Sequence, residues 1–368
     1  MNPVLSNKPY TDDDDVYRFT LSGINVCFAN ALRRVILSDI PTIVFHTETY
    51  QDNKCTIYKN TGRLHNEIIK QRLSCIPIHS EDPELIEKYM MELKVKNDSD
   101  SMIMVTSGDF KIKNKETGNY LKEEAIRKIF PPNLITNMYI DLARLNPKIC
   151  DTIDGEELHL TCEFSKKCAN DNSMYNVVSK CAYGYSVDEE KANRALDEWK
   201  KQWASEGLSH EEIEFNAKNF NLLDKQRHYL ENSFDFVVQS VGVFSNEQIV
   251  KKGAILLYNL CVDFIKSLES GEVFIHRSET TMENAFDIVI EDEFYTLGKV
   301  VEHIIYEKHY QTESIINFCG FKKMHPHNTS SILRMGYVGN TEKSVIQSHL
   351  RMATMDAGEA FKKISTMF

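Results

Sequence analysis

Apolar positions along this chain fall into runs of two periods, and the runs come in the same order twice. Residues 16–21 (VYRFTL) alternate as a strand. Gly23 and Asn25 break that pattern, and from Phe28 to Ser38 the apolar residues resume at helical spacing. Leu32, Val35 and Ile36 share one face there, while Arg33 and Arg34 point away from it. Pro41 stops the helix. Ile43 to Tyr50 and Cys55 to Tyr58 read as strands, and Leu64 to Leu73 as a short helix carrying Ile68, Ile69 and Arg72.

From Glu81 to about Asn232 the texture changes to short mixed strands, a Pro131-Pro132 breaker and a strongly charged helical stretch from Val187 to Tyr229. That stretch holds both tryptophans, Trp199 and Trp203, four apart on one helical face. The burial habits of Trp predict a seam packed onto its own domain. Strand character returns at Phe234 to Val243. A long helix follows with Val250, Gly253, Ala254, Leu257, Leu260, Cys261, Phe264, Ile265 and Leu268 as a wide apolar stripe, ended by Ser270-Gly271.

The last hundred residues repeat the plan. Asn284 to Glu291 alternates as a strand, and Leu297, Val300, Val301, Ile304 and Ile305 form one face of a helix. Ile315 to Lys322 and Ser331 to Val338 read as strands around the loop Met324 to Thr329. The closing helix carries Ile346, Leu350, Ala353, Ala357, Ala360, Phe361 and Ile364. Two such stripes each need a partner, so the pattern predicts that the two copies pack on each other as a pseudo-dimer within one chain. Its predicted interface includes Leu257, Leu260, Phe264, Leu297, Val301, Leu350 and Phe361.

Composition narrows the function. With 42% hydrophobic and 26% charged residues over 368 positions, usage is that of globular protein in two or three units. No apolar run reaches the ~18 residues of a spanning helix, and the N-terminus has no positive-then-apolar signal, so an intracellular soluble protein without a membrane partner is expected. Net charge is −11, with 33 Lys/Arg against 41 Asp/Glu before Gly271 and 10 against 13 from it onward. Neither part offers a basic surface for phosphates, so any contact with DNA is expected to be indirect. The nine cysteines are scattered, without a Cys-x-x-Cys pair. Cys162, Cys168 and Cys181 with Cys150 match no common metal spacing, and the expectation is buried thiols, no metal and no cofactor.

Catalytic signatures are missing too: there is no phosphate loop ending in Lys-Ser/Thr, no Gly-x-Ser-x-Gly and no His-Glu-x-x-His. The acid run Glu291-Asp292-Glu293 reads as acids before a helix, favourable to its dipole, rather than as a magnesium site. His325 and His327 beside Pro326 read as a turn.

Six segments carry a specific resemblance. GINVCFANALRRVILSDIPT (Gly23 to Thr42), LHNEIIKQRLSCIPI (Leu64 to Ile78), ANDNSMYNVVSKCAYGY (Ala169 to Tyr185) and FDFVVQSVGVFSNEQIVKKGAILL (Phe234 to Leu257) resemble the α-type subunits of multisubunit RNA polymerases. That family comprises the bacterial α protein, its larger archaeal counterpart and the third eukaryotic subunit. FDIVIEDEFYTLGKVVEHIIY (Phe286 to Tyr306), with its Thr296-Leu297-Gly298 element, and CGFKKMHPH (Cys319 to His327) are similar to the smaller partner, which is the eleventh eukaryotic subunit or its small archaeal counterpart. Both partners in one chain most resembles the fused subunit of mimivirus-like giant DNA viruses.

The resemblance implies an α+β fold: an α-type dimerisation domain (1–80 and 231–270) interrupted by an inserted domain (81–230, with a helical insertion 187–229), then a small dimerisation-type domain (271–368). It implies a non-catalytic assembly platform for the β-like and β′-like large subunits and small accessory subunits, in the virion and the host cytoplasm. Asn30, Arg33, Arg34, Glu67, Arg72, Asn172 and Ser173 would form the large-subunit interface. Guanidinium groups suit such contacts because they meet carboxylates bidentately. The metal cluster of some relatives is not implied, since Glu81 to Phe130 holds no cysteine. The alternatives are an independent thiol- or carboxylate-based enzyme and a scaffold outside the polymerase.

Overall fold

The computed structural model describes residues 2–6, 9–148, 154–279, 282–291 and 295–368. In chain order, the short strands β1 (Val4–Leu5) and β2 (Tyr10–Thr11) precede β3 (Tyr17–Ser22) and helix α1 (Val26–Ser38), which buries Phe28, Ala29, Ala31, Leu32, Val35 and Ile36. Next come β4 (Thr42–Phe45), β5 (Cys55–Asn60), α2 (Asn66–Ser74) and α3 (Pro83–Lys88), whose N-cap Asp82 accepts from the Glu84 amide. Strands β6 (Tyr89–Lys96), β7 (Ile103–Thr106) and β8 (Lys111–Asn114), helix α4 (Glu123–Ile129) and strands β9 (Asp141–Leu145) and β10 (Glu157–Lys167) follow. Then come β11 (Val178–Val187), α5 (Glu189–Ser205), α6 (His210–Asn219), β12 (Tyr229–Ser240) and α7 (Asn246–Ser270). The tail is β13 (Phe274–Arg277), β14 (Ala285–Ile290), α8 (Leu297–Ile305), β15 (Ile316–Lys322), β16 (Ser331–Tyr337) and α9 (Lys343–Ser365).

The chain divides into two compact units, one of residues 1–36, 180–239 and 246–368, the other of 37–179 and 240–245. In the first unit, one sheet has the order β1-β3-β12-β11 with β2 added to β3, and a second has the order β13-β14-β16-β15. The two follow one plan. A strand (β3 or β14) leads into a short helix (α1 or α8), two antiparallel strands follow, and a long helix closes the copy. The leading strand pairs with the last strand, which pairs with the edge strand. The long helices α7 and α9, of 25 and 23 residues, pack against each other.

Their apolar stripes explain that packing. On α9, Ile346, Leu350, Ala353, Ala357, Ala360, Phe361 and Ile364 are all buried, as are Val250, Gly253, Ala254, Leu257, Cys261, Phe264 and Leu268 on α7. Each large side chain taken from water contributes roughly 1.5–3 kcal/mol. Leu260 departs from the expected interface: it is 37% exposed. It stands three residues after the buried Leu257 and one before the buried Cys261, at the rim of the stripe where the helix surface turns to solvent.

In the second unit, β10 is the central strand, bonded to β4, β5 and β6, and β8 extends the sheet from β6; β7 and β9 pair separately. Phe45 lies at the heart of its core, with ring centroids 6.1 Å from Phe110, 6.0 Å from Phe130 and 5.3 Å from Phe164. Because β4 and β5 hydrogen-bond to β10, residues 37–80 fold with the inserted segment and not with the dimerisation copy. The compact units therefore differ from the expected boundaries at 80/81 and 230/231. Residues 187–229 fall in the first unit, since α5 and α6 connect its strands β11 and β12.

The expectation for the tryptophans is overturned. Trp199 is 49% exposed and Trp203 half-buried, their rings 5.7 Å apart. The stripe Ala192, Leu196, Trp199, Trp203 is continuous, but only Ala192 and Leu196 at its start are buried. Past Leu196 the apolar face of α5 stays partly in solvent.

Candidate protein-assembly surfaces

Two sets of residues bear on assembly, one closing the chain on itself and the other facing solvent. The first lies in the first unit. Phe28 of α1 and Phe361 of α9 bring their ring centroids to 5.1 Å, and Phe368 meets Phe19 at 4.9 Å. Gly253 of α7 sits so close to α1 that a Cβ there would come within 2.8 Å of Ile36 Cγ1. At Gly298, at the start of α8, a Cβ would lie 2.2 Å from the Phe321 ring, so only glycine lets α8 lie on β15. Leu297 and Val301 of α8, Leu257 and Phe264 of α7, and Leu350 and Phe361 of α9 are all buried.

One polar bond ties the two sequence motifs together: Arg34 Nε donates to Thr296 Oγ1 at 3.0 Å, and Thr296 is 8% exposed. Arg34 thus spans from α1 to the Thr296-Leu297-Gly298 element and is not the free guanidinium that the helical wheel implied. A wheel shows which side of a helix is apolar; it does not show what packs over the polar side. Arg33 is half-buried, its Nε and Nη2 donating to Asn30 Oδ1 one turn back at 3.2 and 2.9 Å. Nearby, burial pushes the Cys181 thiol up to about 12 against the opposing pull of Arg33.

The second set lies in the second unit. On α2, Glu67 projects into solvent with 92% of its side chain exposed, and the exposed Arg72 donates through Nη2 to the Asp141 carbonyl of β9 at 2.9 Å. Asn172 caps the turn Ser173–Tyr175, accepting from the Met174 amide at 3.0 Å, and its amide group donates to the Glu48 carboxylate. Ser173 is exposed.

The segment His46–Glu48 joins these pieces. His46 Nδ1 is 3.1 Å from the Tyr175 hydroxyl, and Thr47 Oγ1 is 2.6 Å from Ser74 Oγ at the end of α2. A cavity of about 270 Å³ lies among Thr42–Val44, Ser74–Ile78, Ser173–Asn176, Val241 and Val243. The structure thus brings Asn172 and Ser173 close to the C-terminal end of α2. Sequence spacing gives no hint of this, because the link runs through His46–Glu48, distant in sequence from both.

The thiols sit in different settings. Cys162 of β10 lies opposite Cys55 of β5, both buried. Burial pushes the Cys162 thiol well up, while its hydrogen bond holds the Cys55 thiol down. Cys168 is hydrogen-bonded to Asp171 at 3.4 Å, with its thiol raised by burial. Cys150, Asp292 and Glu293 lie outside the described residues. The His325 and His327 rings meet edge-on at 5.0 Å in a local turn, the His327 amide donating to His325 Nδ1 at 3.1 Å. Among the described residues no group of three His, Cys, Asp or Glu could hold a metal, and no helix is long and apolar enough to cross a membrane.

The two-copy packing and the comparisons converge on one class. Residues 18–261 match the RNA polymerase Rpb3/Rpb11 dimerisation domain, and the chain belongs to that family. It is 24% identical over 269 residues to DNA-directed RNA polymerase II subunit RPB3 of Schizosaccharomyces pombe, covering 69% of this chain and 84% of that protein. Against subunit Rpo3 of Picrophilus torridus it is 23% identical over 232 residues, with 60% and 79% covered. A conjugation stage-specific protein of Tetrahymena thermophila is 28% identical over 186 residues, but there this chain covers only 56% of the relative.

Proposed function

We propose that this chain is the assembly platform of a viral multisubunit DNA-directed RNA polymerase, carrying in one polypeptide the two partners that other members of the family pair as separate subunits. The single observation that carries the reading is the packing of α9 on α7 with the Arg34–Thr296 bond across the copies. The apolar surface that a dimerisation domain offers to a partner is here covered by the chain's own second copy. What remains for other proteins is the outside: Asn30 and Arg33 in the first unit, and Glu67, Arg72, Asn172 and Ser173 in the second. These residues dock the β-like large subunit, and a separate face meets the β′-like subunit and the small accessory subunits. DNA is reached only through the complex, in keeping with the net charge of −11. The setting is the virion and the cytoplasmic factory of an infected cell.

The test is capture of purified β-like subunit by the full-length chain. Arg33→Glu with Arg72→Glu replaces two cations at the surface and should weaken capture about 10-fold or more, as expected when charges face a complementary patch. The melting temperature should stay within a degree or two, because neither side chain belongs to a core. Undiminished capture by a normally folded double variant would sink the proposed interface.

A further inference from the structure

The loop 131–140 of the second unit presents the most exposed large aliphatic side chains in that unit. Leu134 is 99% exposed, Ile135 94% and Met138 64%. An exposed apolar tip on a floppy loop would carry little meaning, but this loop is built. The Asn133 amide donates to the Met138 carbonyl at 2.8 Å and the Asn137 amide to the Asn133 carbonyl at 2.8 Å. Asn133 Oδ1 accepts from the Ile135 and Thr136 amides, both at 2.9 Å. Asn137 adopts a left-handed φ of 55°, which Asn tolerates better than most residues.

The base is clamped as well. The Ile140 carbonyl accepts from the amide of the buried Ser107 at 2.8 Å, and its amide donates to Ser107 Oγ at 3.2 Å. The Tyr139 ring packs against Gly108, where a Cβ would come within 2.8 Å of it. The fold therefore holds two aliphatic side chains out in water in one shape, an arrangement that costs stability and reduces the entropy lost on binding.

We infer that this loop is a preformed apolar plug that seats in a hydrophobic pocket of the β-like large subunit. The inference rests on the assembly reading above and names a further part of that interface. Three observations select the occupant. The plug is continuous with the proposed interface, since Arg72 of α2 donates to the carbonyl of Asp141, the residue directly after the loop. Residues 131–140 hold no Asp, Glu, Lys or Arg in a chain that is 26% charged, so there is nothing to attract a phosphate backbone. The chain's net charge of −11 works against an anionic bilayer. A convex aliphatic tip is left, and its complement is a concave apolar pocket on a protein.

The experiment uses the full-length chain and purified β-like subunit. Leu134→Asp with Ile135→Asp should leave the melting temperature unchanged, since both side chains are in water, and should weaken capture about 30-fold or more, the effect of losing a hot spot. Leu134→Ala with Ile135→Ala serves as the milder version, and Leu222→Asp, which removes a 72% exposed side chain of the first unit, should capture normally. Undiminished capture by both loop variants would overturn the plug. So would loop-dependent flotation of the wild-type chain with anionic vesicles, or a loop-dependent dimer in light scattering, with capture unaffected. If the wild-type chain captures no β-like subunit at all, the assembly reading falls and the plug with it; if wild type and loop variants capture equally, the plug alone falls.

Discussion

The two copies of the fold within the first unit differ in how they are closed and in what lines their polar face. In the second copy the strands β14, β15 and β16 and the helices α8 and α9 follow one another within residues 285–365. In the first, the path from α1 back to β11 and β12 carries all of residues 37–179, and the turn between β11 and β12 carries α5 and α6. Yet the strand order is the same. Both interruptions enter where the chain leaves a strand or helix end, and closing a longer loop adds only ~0.6 kcal/mol per doubling of its length. The paired sheets and long helices set the fold; the connections are free to carry other business.

The polar faces differ in kind. On β14 and β16, Asp287 stands opposite Arg334 and takes a bidentate bond from it at 2.6 and 2.7 Å. On β3 and β12, Thr20 stands opposite Asp235 and donates to it at 2.7 Å, with Ser186 of β11 adding a second bond at 2.9 Å. One copy uses an ion pair and the other hydroxyls around a carboxylate. The ion pair is expected to contribute more, because removing its carboxylate leaves a charge without its partner.

The most severe way to break the comparison is to separate the copies. Residues 1–270 alone would expose the stripe of α7, whose buried side chains include Ile249, Val250, Leu257, Phe264 and Leu268. Forfeiting about 1.5–3 kcal/mol for each is comparable to a domain's whole usual margin of ~5–15 kcal/mol. The fragment should aggregate or self-associate, and residues 271–368 added as a separate chain should restore a soluble one-to-one complex in light scattering. A monomeric, cooperatively melting 1–270 fragment would show that the copies do not depend on each other.

Next in size is Asp287→Asn. Asp287 is 5% exposed, and removing its charge leaves Arg334 without its counter-ion, a loss of about 2–4 kcal/mol after allowing for the partly exposed guanidinium. The same pair sets a pH limb. The Arg334 guanidinium, by its hydrogen bonds, holds the Asp287 carboxyl below the usual carboxylate range against the opposing effect of burial. A carboxyl depressed on folding stabilises fully above its unfolded pKa of about 4 and loses that contribution as pH falls through the depressed value. Urea melts between about pH 5 and 2 should therefore show a steeper acid loss in wild type than in Asp287→Asn. Parallel limbs would remove the ion pair from the account.

Much of this fold is legible in the sequence because apolar periodicity reports burial directly. The stripes of α1, α8 and α9 are buried at every expected position, and β14, β15 and β16 begin and end within one residue of the alternating runs. What is not legible depends on partners distant in sequence. Arg34 reads as a guanidinium turned toward another subunit because nothing in its own helix shows Thr296, 262 residues away. Trp199 reads as packed because its helix is amphipathic throughout, although only Ala192 and Leu196 near its start are buried. The grouping of residues 37–80 with the inserted segment rests on pairing of β4 and β5 with β10, which strand propensity cannot specify. The Leu134–Ile135 tip directly follows the Pro131-Pro132 breaker, where periodicity carries no signal.

The smallest effect sharpens the contrast most. Thr20→Val keeps the shape of the side chain and removes one donor to Asp235 Oδ1, while Ser186 keeps the other. A hydrogen bond to a charged group contributes about 1.5–3 kcal/mol when nothing replaces it. Here a second hydroxyl remains on the same oxygen, so the loss should be about 1 kcal/mol in urea melts at pH 7, well under that of Asp287→Asn. The acid limb of Thr20→Val should follow wild type, because the Asp287–Arg334 pair is untouched. A Thr20→Val loss equal to that of Asp287→Asn would mean that the hydroxyl network of the first copy matches the ion pair of the second, and that the difference between the two copies lies only in their connections.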